Sequence, residues 1–200
     1  MDLVLFQIAG VGVTLIDLVC SVLGLTCVFL AGRGSKANFW VGYLYTAALF
    51  LLFWHKNLLA SLMLQPVSLC INMVGHYRWT HPRAQEKSVK GELKVTTLTW
   101  TQRALTVLSV VLMAFAWGWL LDRLFPADPH PYLDSLVTIL ILVAQYLSAQ
   151  KKWDCWIVWL LVNITQLMLH LSVGNLAMSC VSALYLVNGV ASLFHWKKLK

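Results

Sequence analysis

Seven apolar runs, each about as long as a membrane-crossing helix, occupy most of this chain and leave little else to fold. Hydrocarbon offers no water to backbone N–H and C=O groups, so a spanning run of about 20 residues must satisfy them internally, as a helix. Charges and turn residues place helices at about 13–31, 39–55, 58–79, 101–121, 133–150, 153–170 and 176–196. Of the 200 residues 60% are hydrophobic and 12% charged, where an ordinary soluble domain carries about 25% charged residues. The expected fold is therefore an all-α integral membrane protein, with one domain over residues 1–200. Residues 3–12 are apolar and either extend the first helix or lie at the interface. Two connections are long: 80–94 is hydrophilic, and 122–131 is broken by three prolines. The N-terminus lacks the basic region of a signal peptide.

Alternate connections fall on opposite membrane faces, so basic residues can be counted by side. Thirteen fall on one face, and only Lys56 and Arg123 on the other. This bias predicts an outside N-terminus and a cytoplasmic C-terminus. The net charge of +7 does not signal nucleic acid, because the cations sit at span ends and not in a basic, aromatic groove. Cys20, Cys27, Cys70, Cys155 and Cys180 form no CxxC pair, and the six histidines have no i, i+4 partner on one face. No metal or other cofactor is expected.

Shifting the chain by 117 residues superposes its two ends. Asp17 falls on Asp134 and Trp79 on Trp196; Trp40 meets Trp156 after a one-residue gap, and GHYRW (75–79) lies over SLFHW (192–196). Two three-helix units in the same orientation (about 13–79 and 133–196), joined by a linker helix at about 101–121, would form a 3+1+3 parallel duplication. Such repeats are a transporter signature, with the substrate near the midplane at the repeat interface.

The sixth helix carries Trp156, Trp159, Asn163, Gln166 and His170 within an arc of roughly 80°. The third carries Ser61, Gln65, Ser68, Asn72, His76 and Trp79, and the seventh Ser182, Tyr185, Asn188 and Ser192. Amides and serines commonly stitch membrane helices together, and tryptophans commonly mark the interface; Trp100, Trp153 and Trp196 are read as such anchors. Three stripes on repeat-related helices favour a shared polar cavity instead. From these stripes Gln65, Asn72, Trp156, Trp159, Asn163, Gln166, Tyr185 and Asn188, with Trp40 and Tyr45 from the second helix, form the candidate substrate-binding set. Asp17 and Asp134 stand near helix N-termini, where a carboxylate caps the helix and complements its dipole. Asp134 shares a face with Thr138, Gln145 and Ser148.

W-x-x-W-x-x-x-N (Trp156, Trp159, Asn163) after K-K-W-D resembles the signature of the PnuC family of bacterial nicotinamide riboside transporters. The stretch from Ala60 to Trp79 and the L-V-N-G at Leu186–Gly189 are similar to that family too, and the resemblance covers nearly the whole chain. It implies a facilitator with SWEET-like architecture in the bacterial inner membrane, and trapping of the imported substrate by cytoplasmic phosphorylation. It places ligand-binding positions at Gln65, Asn72, Trp156, Trp159, Asn163 and Asn188. Two stretches depart from the family pattern: G-H-Y-R-W (75–79) has His76 where the family often has tryptophan, and Tyr43 and Tyr45 follow Trp40 and Gly42.

A flat cationic ring can stack on tryptophan with cation–π help worth about 0.5–2 kcal/mol, while amides meet ribose hydroxyls without adding charge. The expected partners are thus a small flat cationic nucleoside or vitamin and membrane lipid. Thiamine or another B vitamin fits the same chemistry. A phosphorylated substrate does not, since the stripes contain no Lys or Arg. The sequence is compatible with self-association. A membrane enzyme using His76 and His81 lacks an acid–base partner, and a scaffold would explain neither stripes nor duplication. A cytoplasm-specific reporter fused after Lys200 should be active; activity of a periplasm-only reporter there would overturn the orientation.

Overall fold

Thr14 stops the first helix from reaching back into the N-terminal apolar run. Its Oγ1 donates to Asp17 Oδ2 (2.6 Å) and accepts from the Asp17 amide (3.4 Å), while its own amide donates to the same carboxylate (3.2 Å). This capping box satisfies helix-end donors that hydrocarbon would leave bare, worth about 1 kcal/mol. Ahead of it the chain forms an antiparallel ribbon, β1 (Val4–Ile8) against β2 (Val11–Thr14), with Ile8 opposite Val11. The valine-rich second strand suits the extended backbone, so the N-terminal run does not extend the first helix and the chain is not purely helical.

The computed structural model describes residues 4–8, 11–55, 59–89, 91–124, 131–172 and 176–200. Lys56, His130, the Ser61 side chain and most of the proline-broken connection lie outside what is described. The helices are α1 (Leu15–Gly32), α2 (Ala37–His55), α3 (Leu59–Thr80), α4 (Trp100–Leu124), α5 (Pro131–Ala149), α6 (Cys155–Ser172) and α7 (Leu176–Lys198). Among the described residues, five of them, α1, α2, α4, α5 and α7, are individually long and apolar enough to cross a membrane.

Contacts run from α1 to α2 to α3 to α5 to α6 to α7 and back to α1, while α4 packs on α5. Two tryptophans close this circuit at the end bearing most of the basic residues. Trp79 Nε1 on α3 donates to the Ser148 carbonyl of α5 (3.3 Å), and Trp196 Nε1 on α7 donates to the Gly32 carbonyl of α1 (3.0 Å). The rings meet at 5.8 Å between centroids. Trp196 is fully buried, so it is a core residue and not the interfacial anchor expected. The close crossings use small residues: Gly75 lies against Ala149, and Gly32 lies against Ser192.

The turns after α1 and α5 carry the same bonds. Gly34 donates to Ala31 and Ser35 to Leu30 (2.9 and 3.0 Å), as Lys151 donates to Ser148 and Lys152 to Leu147 (both 2.9 Å). Both turns need a left-handed residue, Gly34 at φ +72° and Lys151 at φ +53°. Glycine adopts this freely, whereas lysine pays about 1–2 kcal/mol. The Lys151 ammonium sits 4.7 Å from the Trp79 ring centroid, an attraction that offsets much of that cost. Burial there holds the ammonium below its usual pKa.

The hydrophilic connection at 80–94 is folded back onto this end. Leu93 and Val95 enter the core of Phe39, Trp79, Leu147, Cys155, Trp156 and Trp196. Buried Asp154 fastens it, accepting from the Leu98 amide and from Arg103 Nε, both at 2.8 Å. Trp79→Phe and Trp196→Phe should each destabilise the protein by about 1–3 kcal/mol, from the lost bond and the space the smaller ring leaves. Thermal unfolding in detergent checks this against Trp100→Phe, an 81% exposed position expected to change nothing.

Candidate substrate site

Each polar stripe takes its direction from the tryptophan at the end of its helix. Counting back from Trp79, Asn72, Ser68 and Gln65 fall 7, 11 and 14 residues away; from Trp196, Gly189, Tyr185 and Ser182 fall at the same steps. These steps return close to one helical face, so burying the tryptophans turns both sets toward the bundle. Asn72 Nδ2 donates to the Phe39 carbonyl of α2 (3.2 Å) across Gly42, where no larger side chain would fit. The Tyr185 and Tyr45 phenols both lie over Gly24 of α1, whose missing side chain leaves room for them. Gln65 is half-buried and engaged.

On α6, Trp156 is buried with its ring edge-on to Trp196 (5.5 Å, 81°). Its indole N–H is buried without a partner. One turn further in, Trp159 is half-buried and packs on the same aromatic core. Asn163 follows, buried, with its amide nitrogen close to Gly189 of α7; Gln166 is half-buried beyond it. The face thus runs from a sealed aromatic floor at Trp156 to partly open amide and indole groups.

Two candidates stand apart. Trp40 is 64% exposed, edge-on to Tyr43 and His76. Phe39 takes the core place instead, edge-on to Trp79 (5.1 Å, 88°) as Trp156 is to Trp196. Phe39 and Trp156 are 117 residues apart, so the one-residue gap that aligned Trp40 with Trp156 is unnecessary. Asn188 lines a cleft between α1 and α7, together with exposed Phe29 and His195.

The structure also brings in residues that the stripes did not. Ser68 Oγ donates to Gln145 Oε1 of α5 (2.8 Å). His76 stacks on Phe39 (5.3 Å, 14°), with its Nδ1 3.1 Å from the Tyr43 hydroxyl. Gln145 was visible as a polar residue in an apolar run, but nothing in the pattern paired it with Ser68. Ser135, buried on α5, donates to the Ala114 carbonyl and fixes α4 there.

Fold and interior together define a polytopic helical membrane protein with an aromatic- and amide-lined core, the class to which small-molecule carriers belong. The chain belongs to the family described as nicotinamide mononucleotide transporter, which matches residues 14–198. It is similar to the nicotinamide riboside transporter PnuC of Escherichia coli (strain K12), at 26% identity over 85% of this chain and 80% of that protein. It is also similar to the riboflavin/roseoflavin transporter RibM of Streptomyces davaonensis, at 28% identity over 84% of this chain and 78% of that one. A crystal structure of the vitamin B3 transporter PnuC gives a TM-score of 0.73 at 26% identity, covering 90% of this chain and 80% of its own.

Gly24→Ala should destabilise the protein by about 1–3 kcal/mol, the usual cost of overpacking, because the added methyl runs into the Tyr185 hydroxyl. Adding Tyr185→Phe should recover part of that loss in thermal unfolding. A double variant no more stable than Gly24→Ala would mean that the phenol does not lie over Gly24.

Proposed function

We propose that this protein carries nicotinamide riboside across the bacterial inner membrane by facilitated diffusion. Its ring would stack on Trp159, with Trp156 as the floor, and Asn163, Gln166, Asn72, Gln65, Tyr45 and Tyr185 would meet its hydroxyls and carboxamide. The observation that carries this reading is the α6 face, where half-exposed Trp159 adjoins buried Asn163 on a helix without ionised side chains. From Leu59 to Tyr77 on α3, and throughout α6, there is no Asp, Glu, Lys or Arg. An uncharged lining suits a riboside better than its mononucleotide, whose phosphate calls for a cation. It also offers no carboxylate to couple transport to an ion gradient.

The paired Trp–carbonyl bonds and the matching turns support two parallel three-helix units joined by α4. They also favour a single domain. The thirteen-to-two basic count supports an outside N-terminus and a cytoplasmic C-terminus, where a kinase would trap the substrate. Riboflavin transport by a relative favours a second reading, another flat-ringed vitamin in the same site.

Calorimetry on purified variants tests the site. Base–aromatic stacking is worth about 1–3 kcal/mol by alanine substitution, so Trp159→Ala should weaken riboside binding about ten- to a hundredfold. Trp153, whose indole donates to the Leu193 carbonyl (3.0 Å), is the packing control. Its alanine variant should lose thermal stability and keep its affinity. Equal loss of affinity in both would remove α6 from the site.

A further inference from the structure

The cleft that takes Asn188 away from the interior is itself a site. It holds about 330 Å³ between α1 and α7 and is lined by Phe29, Gly32, Arg33, Asn188, Ser192 and His195, besides Ala191. None of these residues is acidic. Ser192 is buried, and Asn188 Nδ2 is buried without a hydrogen-bond partner. Arg33 stands exposed at the rim with its guanidinium 4.7 Å from the Phe29 ring centroid. Phe29 is 47% exposed, so the cleft opens sideways, where a membrane protein meets lipid, at the end of the bundle that bears most cations.

A second cleft shows what such a place accepts. It holds about 300 Å³ and is lined by Arg78, Gln85, Glu86, Lys94, Gln150 and Lys152, with Leu93 and Thr96. Arg78 precedes His195 by 117 residues, and Gln150 follows Arg33 by 117, so the two clefts occupy matching positions. In this one the folded connection supplies an anion of its own: Glu86 Oε1 lies 2.8 Å from Arg78 Nη2. Among the described residues no carboxylate lines the α1–α7 cleft, which keeps its cation, its histidine and its unpaired amide donor.

We propose that the α1–α7 cleft binds a phosphate-bearing anion, and that its source is the headgroup of an anionic phospholipid. Arg33 and His195 would hold the phosphate at the rim, Asn188 Nδ2 would donate to it, and an acyl chain would run over Phe29 and Ala191. A free phosphate would use the same polar groups but leave the exposed phenylalanine without a role.

The test uses the full-length protein in detergent, titrated with short-chain phosphatidylglycerol, short-chain phosphatidylcholine or inorganic phosphate, with thermal stability as readout. Phosphatidylglycerol should stabilise saturably, phosphatidylcholine should not, and phosphate should act only weakly. Arg33→Gln should weaken the phosphatidylglycerol response about tenfold, as loss of one charge-assisted contact does, with Arg33→Lys restoring part of it. Asn188→Asp, which keeps the shape and adds a negative charge, should abolish the response. Lys36→Gln, an exposed cation outside the cleft, should leave it unchanged. An equal response in Arg33→Gln and Lys36→Gln would overturn the site, and full stabilisation by phosphate alone would overturn the lipid as its source. If Asn188→Asp does not fold, the Arg33 and Lys36 variants still decide.

Discussion

The two indole–carbonyl bonds that Trp79 and Trp196 make to the far helices hold this architecture together. The last carbonyls of a helix have no partner within it, and at the end of a membrane bundle they need one. Here α3 supplies a donor to α5 and α7 supplies a donor to α1, with Ser148 and Gly32 as the acceptors. The same two rings also meet each other, edge-on to Phe39 on one side and Trp156 on the other. Once they are buried, helix phase alone turns Asn72, Ser68 and Gln65 on α3, and Tyr185 and Ser182 on α7, toward the interior. The folded connection adds Leu93 and Val95 beneath them.

Small residues then shape the interior. Gly42 admits Asn72 and Gly24 admits the phenols of Tyr45 and Tyr185, so α2, α3 and α7 contribute an amide and two tyrosines. α6 contributes Trp159 and Asn163. The resulting surface is asymmetric, with indole on one side and hydroxyl and amide on the other. Neutral hydrogen bonds each add only about 0.5–1.5 kcal/mol. In the proposed function, such a lining would bind a polyhydroxylated flat molecule without holding it too tightly to release.

Much of this was legible in the sequence because lipid removes alternatives. Apolar runs had to be helices, and the seven expected segments match the observed helices to within a few residues. Asp17 read as a carboxylate at a helix start, and it closes a capping box with Thr14. Short-range pattern failed where tertiary contacts decide. Trp40 and Phe39 are adjacent and both aromatic, and only packing against Trp79 selects Phe39. Asn188 shares a sequence stripe with Tyr185, yet its position on the helix falls to the α1 side, where it lines the outer cleft. Leu93 and Val95 are two apolar residues in a charged connection, with too little periodicity to announce burial. Asp154 sits in a turn, and the bonds that make it structural come from residues more than fifty positions away. The N-terminal strands were hidden by an apolar composition that suits helix and strand alike.

In the proposed function, an aromatic–amide lining passes a riboside down its own gradient. The most direct measurement is uptake of labelled nicotinamide riboside into proteoliposomes made with the full-length protein and no ion gradient. The account predicts that internal and external concentrations become equal, that unlabelled riboside trapped inside accelerates entry of label, and that the mononucleotide does neither. Accumulation above the external concentration that collapses on dissipating an imposed proton or sodium gradient, or preferential uptake of the mononucleotide, would contradict it.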